Sequence, residues 1–408
     1  MSAIPEGRDA HPATAVAYAV AVTALGAMPI WAVSAFAPAL QADLGFDDFQ
    51  LGMTLAFFFT VSAVTGLPVG RLVQHWGWRA GISFSCAVAG VSLTLVAVIA
   101  HNWMLLLLAL ALGGISNNSS QPSGNLGIAM NVPDRRQGIS FGLKQAALPI
   151  TTFLTGLLVP IFDHGREWRW AFLTLALVSF VVAVMVIAKT AVRGARAMRA
   201  RPKGEQRVRR ARTAKVKAPK SLLLLATGAG FGTAATISLG GFVVVYAVSQ
   251  GHNPSLAAGL LSLGSLAGIT SRILSGLIAD KRGKRHLVGV IWMQVIGSIG
   301  FLVLAIFGSS PVGLIAGTIM AFGFGWSWNG LFHLSVVKYS PIPAALATSV
   351  VQTAMSIGAA VGPTLFGFAS TVAYQASWYL GSGMLLIAAV FIFFARRELG
   401  RAAAAKRQ

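Results

Sequence analysis

Apolar runs of about twenty residues recur along the whole chain, and each is long enough to cross the ~30 Å hydrocarbon core of a membrane. Of the 408 residues, 55% are hydrophobic and only 11% are charged, whereas a soluble protein would carry about 25% charged residues. The sequence therefore predicts an all-α membrane protein with 12 transmembrane helices. The predicted spans are 14–40, 50–72, 79–100, 104–130, 138–161, 170–190, 221–249, 255–279, 286–308, 312–337, 346–369 and 377–395.

The positive charge of the chain is concentrated in loops on one side. Thirteen of the 32 Lys and Arg residues lie between Lys189 and Lys220, and smaller basic clusters occur in every second loop and in the tail. Cytoplasmic loops are enriched in Lys and Arg, so the pattern indicates a cytoplasmic (inner) membrane protein with both termini in the cytoplasm. The net charge of +21 then fits the anionic headgroups of membrane lipids, and we expect no nucleic acid partner.

The sequence carries few signs of catalysis. Cys86 is the only cysteine and lies in an apolar run, so neither a disulfide nor a cysteine metal site is predicted. The first apolar run is too long for the core of a signal peptide. Phosphate loops and nucleophile motifs are absent from the sequence, and we predict neither an enzyme nor a bound cofactor.

An internal repeat divides the chain into two halves. The decapeptide from Gly70 to Arg79 follows span 2, and a related decapeptide from Gly276 to Arg285 follows span 8, at an offset of 206 residues. Gln145 and Gln352 repeat at nearly the same offset. Equivalent loops on one face fit two parallel six-helix bundles related by a pseudo-two-fold axis. The predicted units are an N-terminal bundle (1–190), a basic cytoplasmic linker (191–220) and a C-terminal bundle (221–408).

The topology, the repeat and the second decapeptide resemble the major facilitator superfamily. Its loop signature is Gly-x-Leu-x-Asp-Arg-x-Gly-Arg-Arg, and the copy beginning at Gly276 fits it with conservative changes. The first copy departs from it, because Gln74 replaces the acid. Span 5, which carries Gly142-Leu143-Lys144-Gln145 and Pro149, bears a weaker resemblance to bacterial permeases of the cyanate and organic-anion type.

The resemblance implies a gate at the loops. In the family fold the loop after span 8 lies beside the start of span 5, so Asp280 is expected to meet the N-terminus of span 5 or Arg135/Arg136 and to hold the cytoplasmic side shut. The alternative is a solvated loop acid. Glycines allow tight turns and close helix contacts. The predicted gating set also includes Gly70, Gly77, Gly276, Gly283 and Arg285.

Two basic residues lie inside apolar spans, and no span contains an acid to neutralise them. Lys144 is eight residues past Arg136, and Arg272 is eight residues before Asp280, so each lies about 12 Å inside its helix end. Buried charges in membranes are costly and usually functional. If spans 5 and 8 face each other, as the resemblance implies, an anion between the two cations would relieve their repulsion. The alternative is that both side chains reach the membrane interface.

Polar and aromatic side chains mark a candidate cavity. Spans 1, 4, 7 and 10 line the cavity in the family fold, and Gln145 and Gln352 lie on the helices at the seam between the bundles. Membrane helices also use such residues for packing, and His333 is either a proton shuttle or a buried neutral histidine. The candidate substrate-binding residues are Arg272, Lys144, Trp31, Asn117, Gln121, Asn125, Tyr246, Trp326, Asn329, His333, Gln145 and Gln352.

These features predict a secondary active or facilitative transporter of a small organic anion, a carboxylate, that works by alternating access as a monomer. A proton or a counter-anion is a possible coupling partner. One alternative is a proton-coupled exporter of drugs or cations, which predicts an embedded acid. A second is a non-transporting membrane sensor or scaffold that uses the basic linker to bind a partner.

Overall fold

The computed structural model describes residues 10–162, 167–197, 219–282, 286–339 and 344–405, and these residues are almost entirely helical. The chain also contains a 3₁₀ turn at Val159–Ile161 and a π-helical segment at Ala321–Gly325. The α-helices are α1 (Pro12–Ala35), α2 (Ala37–Leu44), α3 (Asp48–Val64), α4 (Gly66–Trp76), α5 (Trp78–Ile99), α6 (Trp103–Asn131), α7 (Asp134–Gln145), α8 (Ala147–Leu158), α9 (Trp168–Ala197), α10 (Lys220–Ser249), α11 (Pro254–Arg282), α12 (His286–Phe307), α13 (Pro311–Met320), α14 (Trp328–Tyr339), α15 (Ala344–Val372) and α16 (Tyr374–Ala405).

The predicted number of spans is confirmed. Eleven segments of the described chain are long and apolar enough to cross a membrane, and α3 is a shorter apolar helix that completes the set of twelve. The helices extend beyond the apolar runs at several ends. In particular, α9 continues to Ala197 and α16 to Ala405, because helical hydrogen bonding does not stop where hydrophobicity stops.

Three predicted spans are broken by proline rather than continuous. The breaks fall at Phe36, Thr65 and Ala146, two or three residues before Pro38, Pro68 and Pro149. A proline has no N–H for the carbonyl four residues earlier, and its ring crowds that carbonyl, so the helix bends or ends there. The break in span 5 comes directly after Lys144 and Gln145 and separates α7 from α8.

The two ends of the bundle differ in charge. At one end, which we call the basic end, α1 begins, α6 ends and α5 starts, as the contact between Tyr18 and Trp78 shows. At the other end, which we call the opposite end, Arg169 donates to the carbonyl oxygens of Ala97 and Ala100 and pairs with Asp43 at 3.3 Å. The basic end carries Arg71, Arg79, Arg136, Lys338 and Arg396.

The N-terminal half (10–197) and the C-terminal half (219–405) meet along α3–α15, α8–α11 and α1–α10. The hydroxyl groups of Thr152 and Ser265 are joined by one hydrogen bond of 2.6 Å, and the Ser262 hydroxyl donates to the carbonyl oxygen of Phe153 at 3.1 Å. The Tyr374 hydroxyl donates to Asp48, whose other oxygen accepts from Gln41. All of these contacts lie toward the opposite end, so the halves are joined there.

Gly52 allows a close approach of the two halves. A β-carbon at Gly52 would lie 2.3 Å from the carbonyl oxygen of Pro363 on α15. Gly52→Val is therefore expected to weaken the closed contact by about 1–3 kcal/mol, the usual cost of overpacking. Spin labels on Ala42 and Val372, both exposed near the opposite end, should move apart in this variant.

Gly259→Val is the matched control, because no atom of the described part of the chain lies within 4 Å of a β-carbon built at Gly259. The single native cysteine, Cys86, is buried and does not compete for the label. An unchanged label distance in Gly52→Val would show that this contact does not hold the halves together.

The first decapeptide has a different structure from the tight loop that its glycines suggested. Gly70 lies within α4, and among the described residues no atom lies within 4 Å of a β-carbon built there. The turn is made by Gly77 alone, with φ +86° and ψ 165°, a backbone conformation that side chains rarely adopt. Gly77 therefore connects α4 to α5, while Gly70 is an ordinary helix position.

Candidate functional site

Lys144 points into the bundle and is held by amide oxygens from span 4. Its Nζ donates to Oε1 of Gln121 at 2.6 Å and to Oδ1 of Asn125 at 2.7 Å. The side chain is only 1% exposed. Gln121 and Asn125 are one helical turn apart, so α6 presents both oxygens on one face. The ammonium thus lies inside the bundle, away from the basic end.

Gly124 makes room for this arrangement. A β-carbon at Gly124 would lie 3.0 Å from Cε of Lys144 and 3.4 Å from the Cα of Ala19. The aliphatic part of the Lys144 side chain therefore crosses α6 at a glycine, Gly124. Gly124 was not among the predicted site residues, and the signal that could have found it is its place between Gln121 and Asn125.

Arg272 binds a backbone carbonyl that a helix irregularity exposes. Its Nη2 donates to the carbonyl oxygen of Trp326 at 2.9 Å, and its Nη1 is buried with no hydrogen-bond partner in the described part of the chain. Trp326 follows the π-helical segment Ala321–Gly325. Such a segment shifts the helical hydrogen bonding and often marks a functional site. The sequence did not predict this segment, although its two glycines, Gly323 and Gly325, hint at it.

Two tryptophans close the site toward the opposite end. The rings of Trp31 on α1 and Trp326 have centroids 5.2 Å apart at 51°. A β-carbon at Gly240 on α10 would lie 2.6 Å from the Trp31 ring and 3.2 Å from the Trp326 ring. The predicted residues Trp31 and Trp326 are therefore brought together across the two halves, against the glycine face of α10.

His333 lies on α14 in the C-terminal half and bonds within its own helix. Its Nδ1 is 2.9 Å from the carbonyl oxygen of Asn329. Oδ1 of Asn329 is buried without a hydrogen-bond partner among the described residues. The two predicted site residues are one helical turn apart and therefore share one face of α14.

Other predicted site residues are engaged elsewhere. Nδ2 of Asn117 donates to Ser62 on α3 at 3.0 Å. The hydroxyl of buried Tyr246 donates to the carbonyl of Leu304 at 2.8 Å, and its ring packs against Trp378. Both contacts are interhelical packing within one half. Gln145 ends α7 and is half-buried, and Gln352 on α15 is exposed.

The predicted latch falls mostly outside the described part of the chain. Gly283 and Arg285 lie outside the described residues, and so do the side chains of Asp280 and Arg135 and the surroundings of Gly276. Arg136 is exposed on the first turn of α7. The contact between Asp280 and the arginines stays a prediction.

Two basic side chains are held inside the bundle, Lys144 in the N-terminal half and Arg272 in the C-terminal half. Lys144 and Arg272 contribute two cations, and none of their described contacts is to a carboxylate. Because the lysine ammonium can only donate, it takes the amide oxygens of Gln121 and Asn125 and leaves their amide nitrogens as further donors. Among the residues that the structure describes, no group of three or more His, Cys, Asp or Glu side chains is placed to hold a metal. This arrangement can bind an anion.

The comparisons with known proteins agree with the fold. The sequence profile of the Major Facilitator Superfamily matches residues 19–363. Two proteins of Agrobacterium vitis named "Putative tartrate transporter" are 23% identical over 376 and 390 residues, covering 86% and 89% of this chain and 86% and 85% of theirs. An "MFS-type efflux pump" of Mycolicibacterium smegmatis is 23% identical over 64% of this chain and 61% of that protein.

A similar fold occurs in a solved structure of a bacterial homolog of the human lysosomal transporter Spinster, in an inward-facing and occupied conformation. It has a TM-score of 0.73 and 16% sequence identity, and it covers 96% of this chain and 98% of that chain.

Proposed function

The chain belongs to the Major Facilitator Superfamily and is a multi-pass membrane transporter, and from this premise we propose that it carries a small organic anion, a carboxylate, by alternating access. The observation that carries the proposal is the guanidinium of Arg272. Its Nη1 is buried without a partner among the described residues. An unpaired buried donor on a charged group is costly, and a carboxylate oxygen is the acceptor that best relieves that cost.

The N-terminal half also favours an anion. Lys144 is a second buried cation there, and the amide nitrogens of Gln121 and Asn125, whose oxygens it binds, are donors for the body of the substrate. The relatives named as tartrate transporters make tartrate, a dicarboxylate, the first ligand to test. A dianion would neutralise both cations.

The rival function is proton-coupled export of drugs or cations. The name of one relative, the efflux pump of Mycolicibacterium smegmatis, suggests export. The described contacts of the site disfavour it, since two cations and no carboxylate would repel a cationic substrate. An organic cation such as choline therefore serves as the negative control in binding experiments.

We also propose how the halves move. The hydrogen bonds between them lie toward the opposite end, and the Trp31–Trp326 pair closes the site on that side. On this proposal the halves part toward the basic end. With basic loops on the cytoplasmic side, this is the inward-facing state of a monomeric inner-membrane transporter, and Asp280 is the proposed latch that closes the basic end.

A thermal-shift experiment tests the proposed substrate class. Tartrate is expected to raise the melting temperature of the purified transporter, and choline chloride is expected to leave it unchanged. A ligand at 100 times its Kd stabilises the folded state by about 2.7 kcal/mol. Stabilisation by choline and none by tartrate or other carboxylates would favour the exporter.

A further inference from the structure

A lateral groove opens on the membrane-facing side of the C-terminal half. Its walls are α11 and α12, and its floor is span 10, which consists of α13, the π-helical segment and α14. Both walls pack against span 10, but in the described part of the chain they make little contact with each other. The groove has a volume of about 1110 Å³, and its lining includes Ala267, Thr270, Leu274, His286, Trp292 and Phe324.

Small residues keep the groove open down to its floor. A β-carbon built at Gly323 would find its nearest described neighbour, Cβ of Ala267, at 3.7 Å, which is an ordinary van der Waals distance. Neither residue carries a side chain that could fill the space between the walls. The larger apolar residues Leu274 and Trp292 also line the groove, and they are 52% and 61% exposed. The groove is therefore apolar and accessible from the lipid.

The length of the groove suits one leaflet of the bilayer. Along α11 the groove runs from Leu263 to Ile278, which is about 22 Å at 1.5 Å per residue. One leaflet contributes half of the ~30 Å hydrocarbon core. The groove is thus long enough for the acyl chain of one lipid and for the beginning of its headgroup.

Basic side chains lie where the groove reaches the basic end. His286, the first residue of α12, lines the groove. Nζ of Lys338, on the last turn of α14, lies 3.4 Å from Nε2 of His286, and the lysine is exposed. At the other limit of the groove, Leu263 and Ile319 are apolar. An apolar channel with a cation at one end has the charge pattern that complements an anionic phospholipid.

We propose that this groove binds an anionic phospholipid from the leaflet at the basic end. One acyl chain lies between α11 and α12 over Gly323. The phosphate accepts a hydrogen bond from Lys338, whose ammonium has three donors. Anionic lipids are concentrated in the cytoplasmic leaflet, where the proposed orientation of the chain places the basic end. The lipid is a bound partner of the transporter and is separate from the anion that it carries.

The groove and Arg272 share one wall. Ser271 lines the groove, and the next residue, Arg272, binds the Trp326 carbonyl. The Ser327 hydroxyl donates to the carbonyl oxygen of Gly268 at 3.0 Å, so two hydrogen bonds hold α11 to span 10 beside the groove. The lipid therefore packs against the wall that positions the guanidinium, and it should stabilise the C-terminal half.

Photo-crosslinking locates the lipid. The purified transporter is placed in phosphatidylcholine vesicles with a trace of a lipid that carries a photoreactive group in one acyl chain, and labelled peptides are identified by mass spectrometry. The probe has either a phosphatidylglycerol or a phosphatidylcholine headgroup. We expect the phosphatidylglycerol probe to label α11 and α12 about fivefold more than the phosphatidylcholine probe, the effect of one basic residue near an anionic lipid. Lys338→Gln should abolish this preference.

A second variant tests the groove itself. Thr270→Trp should reduce labelling of α11 and α12 several-fold, because the indole fills the space between the walls. The fold should tolerate it, since Thr270 is exposed and its hydroxyl donates to the Leu266 carbonyl of its own helix. Ile273→Trp is the matched control, because Ile273 is 57% exposed on the same helix and does not line the groove. Its labelling should equal that of the wild type.

Each outcome supports or overturns the proposal. Equal labelling by the two probes would overturn recognition of the headgroup, and labelling spread evenly over all membrane-facing helices would show bulk lipid only. Unchanged labelling in Thr270→Trp would overturn the groove as the site. If that variant fails to fold, thermal shifts of the detergent-solubilised wild type decide: phosphatidylglycerol should raise the melting temperature more than phosphatidylcholine, and equal shifts would overturn the proposal. These measurements involve no tartrate, so failure of the proposed substrate is a separate result.

Discussion

Replacing Arg272 with Gln is expected to weaken tartrate binding by roughly 10- to 150-fold. A hydrogen bond to a charged group contributes about 1.5–3 kcal/mol, and each 1.4 kcal/mol changes Kd tenfold. Nη1 of Arg272 has no partner among the described residues, and Nη2 is already bonded to the carbonyl of Trp326. The guanidinium is thus positioned by the backbone and keeps an unused donor for the ligand. Calorimetric titration of the purified variant measures the change.

Two further variants show whether anion binding needs the planar guanidinium group of Arg272 or only its positive charge. Arg272→Lys keeps the charge but cannot bind the Trp326 carbonyl and a carboxylate through one planar group, so an intermediate affinity is expected. Arg401→Gln removes an arginine whose described ion-pair partner is Glu398 on the exposed surface, and it should leave binding unchanged. Equal affinity in Arg272→Gln and the wild type would remove Arg272 from the anion site.

Replacing Lys144 with Gln is expected to change which anions the transporter prefers. Lys144 and Arg272 together supply two positive charges, so a dicarboxylate leaves no charge unbalanced. Without Lys144 the dicarboxylate keeps one uncompensated negative charge in a poorly solvated site, and the monocarboxylate does not. The Kd ratio of lactate to tartrate should therefore fall by about tenfold or more, which corresponds to a differential charge interaction of about 1.4 kcal/mol.

The contacts of Lys144 make this variant tolerable to the fold. A glutamine at the position can still donate to the amide oxygens that now bind the ammonium. Lys338→Gln is the control for charge alone, because Lys338 is exposed on the last turn of α14 and should leave the ratio as it is. A parallel loss of affinity for lactate and tartrate in Lys144→Gln would show that the lysine supports the site without selecting the number of charges.

The breaks in the helices show where sequence reasoning reached its limit. The prolines at positions 38, 68 and 149 are visible in the sequence, and continuous spans were nevertheless predicted, because the apolar pattern runs through each break. The π-helical segment at Ala321–Gly325 has an even weaker signature in the sequence than the proline breaks. It exposes the carbonyl of Trp326, to which Arg272 binds, so a local irregularity without a strong signature decides how the main cation of the site is held.

The polar row on α6 illustrates the same limit. Asn117, Gln121 and Asn125 share one face by their spacing, and the sequence favoured them equally as cavity residues. In the structure Asn117 bonds Ser62 of α3, while Gln121 and Asn125 bond Lys144. Neighbouring positions on one face thus meet different helices, because the helices of a bundle cross at angles and diverge along their length.

The sequence alone determined that this chain is a twelve-span membrane protein of the Major Facilitator Superfamily with two intramembrane cations. These properties are local, because the hydrophobicity of each segment decides whether it can span the bilayer and each buried charge carries its own free-energy cost. Only the tertiary structure decided what those cations meet: amide oxygens for Lys144, and the Trp326 carbonyl with an unused donor for Arg272. Such partners lie on other helices and depend on how each helix bends, rotates and packs, which no single segment of sequence specifies.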